Sequence, residues 1–176
     1  MDLEPYHRIA SDAYLGELTR RPIGEIRAMR TECQRVEDTL SYLRRLVQGR
    51  LDIVRAEHDR RLAGGAPSAL AELVAQLPET LAQHVGGSST RPPHDLLPPD
   101  DPDVTADLDA LCNVGTLASL PTHSSDELRH LLDGLVDLEQ VVSARRRVLF
   151  DRLDTLSAEL TRRYRSGEAT VDALLQ

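Results

Sequence analysis

The sequence predicts an all-α protein: two long helices forming an antiparallel coiled-coil hairpin, with short helices in the connector. Three observations carry that expectation. Two stretches hold apolar residues at alternating steps of three and four, the spacing of a coiled-coil seam. Leu and Ala dominate the composition, and both favour helix. Aromatic residues make up only 3% of the 176 residues, with no Trp, whereas a sandwich or barrel uses many aromatic and β-branched side chains.

The chain reads as a single domain in five segments. Residues 1–21 form an N-terminal extension that opens with an acidic run and lacks the basic-then-apolar order of an export signal. Residues 22–63 form the first arm. Pro22 suits an early helical position, and the seam runs Ile26, Met29, Cys33, Val36, Leu40, Leu43, Val47, Leu51 and Val54. The steps include one four-residue stutter, and Gly64-Gly65 ends the helix after about 40 residues, roughly 60 Å at 1.5 Å per residue. Residues 64–123 are an acidic, Pro-rich connector, with short helices expected at 68–77, 78–85 and 104–120 and an irregular loop at 86–102. Residues 124–166 form the second arm. Ser124 and Glu127 have the spacing of a capping box. Its seam runs Leu128, Leu131, Leu135, Leu138, Val142, Arg145, Leu149, Leu153, Leu156 and Leu160, with the stutter at the equivalent place. Gly167 should stop this helix, and residues 167–176 form a tail.

All 21 basic residues are Arg. Without Lys there is no Walker-type phosphate lysine and no Schiff-base amine on a side chain. No nucleophile elbow, metalloprotease helix or dinucleotide loop is present, the six His show no ligand spacing, and a non-enzymatic, metal-free protein is expected. Cys33 and Cys112 read as free, mostly buried thiols. No apolar run is long enough to span a membrane, so a soluble cytoplasmic protein is expected. The net charge of −8 disfavours direct DNA binding. That charge is uneven: residues 64–123 carry one Arg against eight acids, whereas 17 of the 21 arginines lie on the arms.

At an offset of 102 residues the arms match seam to seam, and identities also match off the seam. Glu37 pairs with Glu139, Ser41 with Ser143, Arg44 with Arg146, Arg45 with Arg147, Arg50 with Arg152 and Asp52 with Asp154. Glu57 pairs with Glu159, and Arg60-Arg61 with Arg162-Arg163. A repeat that served only packing would keep the seam and let polar positions drift. Glu37, Ser41, Arg44, Gln48 and Asp52 step by four, three, four and four, so they share one helix face about 100° from the seam. Glu139, Ser143, Arg146, Phe150 and Asp154 repeat that stripe. Antiparallel arms would bring the stripes together about a pseudo-twofold axis, in a groove suited to a twofold-symmetric ligand. A carboxylate accepts from the N1–H and exocyclic amine of guanine, and Arg grips phosphate or a base edge, or stacks on a base. The set points to guanine nucleotides. The two carboxylates of a stripe lie about 22 Å apart along the helix, too far to act as an acid–base pair.

The spacing Glu37-x3-Ser41-x2-Arg44-x3-Gln48-x3-Asp52 resembles the cyclic di-GMP signature of the RsiG family of actinobacterial anti-sigma factors. Glu139-x3-Ser143-x2-Arg146-x7-Asp154 resembles a second copy, with Phe150 where the full motif has Gln. The stretch from Ser41 to Ile53 and the ending from Ala158 to Gly167 are also similar to that family. The resemblance implies that an intercalated dimer of cyclic di-GMP lies between the arms, two molecules per chain, held by Glu37, Ser41, Arg44, Gln48, Asp52, Glu139, Ser143, Arg146 and Asp154. It also implies that the loaded protein, a monomer by itself, sequesters the sporulation sigma factor WhiG from RNA polymerase.

Blander readings stand beside these. The alternative function is a nucleotide-independent coiled-coil adaptor whose stripes form salt bridges between the arms. Phe150 reads as packing, Arg145 as a register device or an extra ligand contact, and the Arg60-Arg61 and Arg162-Arg163 pairs as solvated charges at helix C-termini.

Overall fold

A computed structural model describes residues 4–66 and 102–167, and every regular element among them is helical. Two long helices dominate: α2 (Ile23–Leu62, 40 residues) and α5 (Ser125–Ser166, 42 residues). The short helices are α1 (Glu4–Ala10), α3 (Ala106–Leu111) and α4 (Val114–Ala118), with 3₁₀ turns at Asp12–Leu15, Leu18–Arg20, Pro102–Thr105 and Leu120–Thr122. The expected helices at 68–77 and 78–85, and the loop from 86 to 101, lie outside the described residues.

The helix ends follow from the residues at them. Gly64 has φ +82°, with Gly64 N–H donating to the Arg61 carbonyl and Gly65 N–H to the Arg60 carbonyl, a Schellman stop. Gly167, at φ +75°, closes α5. The capping box forms: Glu127 N–H donates to Ser124 Oγ (3.2 Å) and Ser124 N–H to Glu127 Oε2 (2.6 Å). Residues 104–120 were expected as one helix, and they divide into two. Asn113 adopts an extended backbone and its side chain accepts from Thr116 N–H at 3.0 Å, so it starts a new helix where one would have continued.

The chain forms two compact units that share the long helices. A discontinuous unit contains 2–41 and 144–176, and a continuous unit contains 42–143. Within the discontinuous unit, α2 and α5 run antiparallel: Arg27 donates to Tyr164 Oη (2.5 Å), Arg30 to Ser157 Oγ (3.3 Å), and Cys33 Sγ reaches the Leu149 carbonyl (3.8 Å). Its core is Ile9, Ile26, Met29, Cys33, Leu40, Leu149, Leu153 and Leu156. Each such side chain contributes about 1.5–3 kcal/mol by leaving water. The N-terminal extension packs here as structure in its own right. Ile9 is fully buried, Tyr14 donates to the Met29 carbonyl (3.0 Å), and burial pushes its hydroxyl up to about 12. Arg145, the odd member of the seam, lies over the Tyr6 ring of α1, 5.2 Å from its centroid.

Within the continuous unit the long helices again run antiparallel, with Arg44 beside Glu139 and Arg61 reaching the carbonyls of Leu120 and His123 at the start of α5. Leu43, Val47, Leu51, Val54, Leu128, Leu135 and Val142 are buried, together with Leu108, Cys112, Leu117 and Leu120 from the short elements. Gly134 admits Leu111: a Cβ at that position would meet Leu111 Cδ1 at 2.9 Å. Both cysteines are free and buried, and burial raises both thiols, Cys33 to about 11.

Arg60, Arg61 and Arg163 are not the solvated charges that the sequence suggested, whereas Arg162 remains exposed. Glu57 is fully buried and accepts from Arg60 (2.7 Å) and Arg61 (2.5 Å); Glu159 accepts from Arg162 (2.9 Å) and Arg163 (2.8 Å). A buried carboxylate requires such partners, and the i+3 and i+4 positions supply them. Arg163 then reaches the carbonyls of Arg21 (2.6 Å) and Leu18 (2.9 Å), as Arg61 reaches those of His123 and Leu120. Arg152 donates to the Ala10 carbonyl (3.0 Å) at the end of α1, and Arg50 to the Leu108 (3.2 Å) and Cys112 carbonyls at the end of α3. The acceptors Ala10 and Cys112, Leu18 and Leu120, and Arg21 and His123 are themselves 102 apart. The repeat therefore extends upstream of both arms into the short elements.

Candidate functional site

The polar stripe enters each unit as a hydrogen-bonded cluster of mixed parentage, because antiparallel helices set the start of one motif copy beside the middle of the other. In the continuous unit Arg44 Nε donates to Glu139 Oε1 (2.8 Å) and to Ser143 Oγ (2.8 Å). Ser143 Oγ donates to the same Glu139 oxygen (2.9 Å), and Gln48 Nε2 approaches it at 3.4 Å. In the discontinuous unit Arg146 donates to Glu37 Oε1 through Nε (3.1 Å) and Nη2 (2.8 Å), and Ser41 Oγ donates to that oxygen at 2.6 Å. The Arg146 guanidinium also lies over the Phe150 ring, 5.1 Å from its centroid.

Glu, Ser and Arg of both copies are thus brought together, and Gln48 joins the first cluster. Asp52 is half-exposed and Asp154 exposed, two helical turns beyond the arginines of their copies. One member escaped the sequence reading: Gln34 Nε2 donates to Glu37 Oε2 at 3.3 Å. Its counterpart at the 102-residue offset is Val136, so the repeat carried no signal for it.

Chemically, each cluster gathers a hydroxyl and a guanidinium on one carboxylate. That suits recognition of a group carrying both donors and acceptors more than capture of a simple anion. Among the described residues no group of three or more His, Cys, Asp or Glu can hold a metal ion, and no helix is long and apolar enough to cross a membrane.

The family model described as RsiG-like matches residues 12–81 and 115–176, about three quarters of the chain, including both motif copies. The chain belongs to the RsiG-like family. Membership suggests an anti-sigma factor role, and the RsiG-like family is not known as enzymatic. No curated protein and no solved structure matches the chain. The RsiG-like match begins at residue 12 and thus takes in the 3₁₀ turns ahead of the first arm as well as the arms themselves.

Proposed function

We propose that the chain is a cyclic di-GMP-binding, non-enzymatic anti-sigma factor. Loaded with a dimer of cyclic di-GMP between its two arms, it sequesters the sigma factor WhiG and represses transcription of sporulation genes. The observation that carries this reading is the duplicated cluster, Arg44–Glu139–Ser143 in one unit and Arg146–Glu37–Ser41 in the other, within a chain of the RsiG-like family.

The chemistry divides among the residues. Glu37 and Glu139 accept from the N1–H and amine of guanine, while Arg44 and Arg146 meet a base edge or phosphate. Ser41, Ser143, Gln48, Asp52 and Asp154 complete the ribose and phosphate contacts. Two molecules bind per chain, with no metal. Bound nucleotide fixes both arms in one geometry, so that WhiG meets a preorganised surface. The protein acts as a cytoplasmic monomer, and the acidic balance of the chain complements the basic DNA-binding surface of a sigma factor.

Titration calorimetry with cyclic di-GMP should give two ligands per chain, and purified WhiG should be retained on the immobilised protein only when nucleotide is present. No heat at micromolar protein overturns the nucleotide reading.

A second reading, a nucleotide-independent adaptor, has an observation of its own. The Arg44–Glu139 and Arg146–Glu37 pairs are salt bridges between the long helices, which is how such a coil would use its stripes. A thermal shift assay separates the two: cyclic di-GMP raises the melting temperature if the first reading holds, and leaves it unchanged under the second.

A further inference from the structure

The two clusters use the same three residue types, yet their carboxylates are not equally available. Glu139 offers Oε1 to Arg44, Ser143 and Gln48 and leaves Oε2 without a hydrogen bond among the described residues. Glu37 has both oxygens engaged, Oε1 by Arg146 and Ser41 and Oε2 by Gln34. Exposure follows the same order: the side chains of Glu139 and Arg44 are 21% and 35% exposed, those of Glu37 and Arg146 only 7% and 19%. The guanidinium faces differ too, because Phe150 covers one face of Arg146 while Gln48, its counterpart, turns toward Glu139.

We infer that the two clusters take up cyclic di-GMP unequally, and that Phe150 and Gln34 are the residues that weaken the Glu37–Arg146 cluster. This rests on the nucleotide reading above and deepens it. A guanine can approach the open Glu139 oxygen without breaking a bond already made. At Glu37 it must displace either the Gln34 amide or the Arg146–Ser41 set, and each displaced donor is a loss set against the new bonds. Stacking of a base on Arg146 is confined to the face that Phe150 leaves open, and the position of Phe150 supplies no polar contact where Gln48 supplies one. Both differences sit at positions where the 102-residue repeat is broken, Gln34 against Val136 and Phe150 against Gln48.

The test compares Arg44→Ala with Arg146→Ala by titration calorimetry with cyclic di-GMP, with helicity and melting followed by circular dichroism. Losing the open cluster leaves only the weak one, so Arg44→Ala should weaken binding at least about tenfold more than Arg146→Ala, a difference of about 1.4 kcal/mol. Adding Phe150→Gln and Gln34→Val to both variants should bring the two losses within about threefold of each other. Should an alanine variant fail to fold, Arg44→Lys and Arg146→Lys keep the charge, lose the planar fork and should fall in the same order. Equal losses from Arg44→Ala and Arg146→Ala, in a chain that still binds the nucleotide, overturn the inequality alone. A parent chain that binds no cyclic di-GMP overturns the nucleotide reading with it.

Discussion

Arg50 and Arg152 solve a problem that short helices cannot solve alone. A helix of six or seven residues leaves its last carbonyls without partners and has too few internal bonds to persist in water. Each arginine reaches from a long helix to those carbonyls, Arg152 for α1 and Arg50 for α3, where it also pairs with Asp109 at 2.7 Å. Arg152→Ala and Arg50→Ala should each cost about 1–3 kcal/mol in urea denaturation. Faster hydrogen exchange should be confined to residues 4–15 for the first and 106–118 for the second. The identity of the two arginines was legible in the repeat. Their acceptors were not, because a backbone carbonyl has no sequence signature. Glu159 yields a prediction of its own. Its hydrogen bonds from Arg162 and Arg163 hold the carboxyl at about 2, against an ordinary 4.5. A lowered carboxyl contributes stability that is present above the unfolded value and lost as pH falls through the folded one. The docking of Arg163 on the Leu18 and Arg21 carbonyls should therefore loosen between about pH 4.5 and pH 2. Glu159→Gln should flatten that part of the stability profile.

At the scale of the element, the arms were legible almost to the residue because their signals are local. The seam steps, the Ser124–Glu127 box and Gly64 each act within one or two turns, and each acts as its chemistry requires. Ser124→Ala should lower stability by about 1 kcal/mol in thermal or urea unfolding, with fraying limited to the first turn of α5. Where elements depend on distant partners, sequence reasoning did less well. The extension before Pro22 is too short to be helical on its own, and it is held by Ile9, Tyr14 and the arginines that reach it. The break at Asn113 was missed for a different reason, since an Asn with suitable φ and ψ begins a helix as readily as it interrupts one. Arg145 has no local signal for its role, because the Tyr6 ring it lies over belongs to α1, far away in the chain.

For the molecule as a whole, the candidate site was legible as composition and spacing, since Glu, Ser and Arg recur at fixed steps in both arms. Its inequality was not, because Gln34 enters from outside the repeated pattern and a repeat reports only what is shared. The division into units has a consequence for how the chain is made. Residues 42–143 are one continuous stretch, whereas the part of α2 from 23 to 41 packs against residues 144–166, made more than 100 residues later. During synthesis the continuous unit can close first, while the apolar seam from Ile26 to Leu40 waits uncovered for at least the 103 residues that separate Leu40 from Ala144. A chain truncated after residue 143 should be cleaved by protease before residue 41 and protected at 42–66 and 102–143. The Ile26–Leu40 seam is thus made before residues 42–143 and covered after them, and until then it is a surface on which chaperones would act.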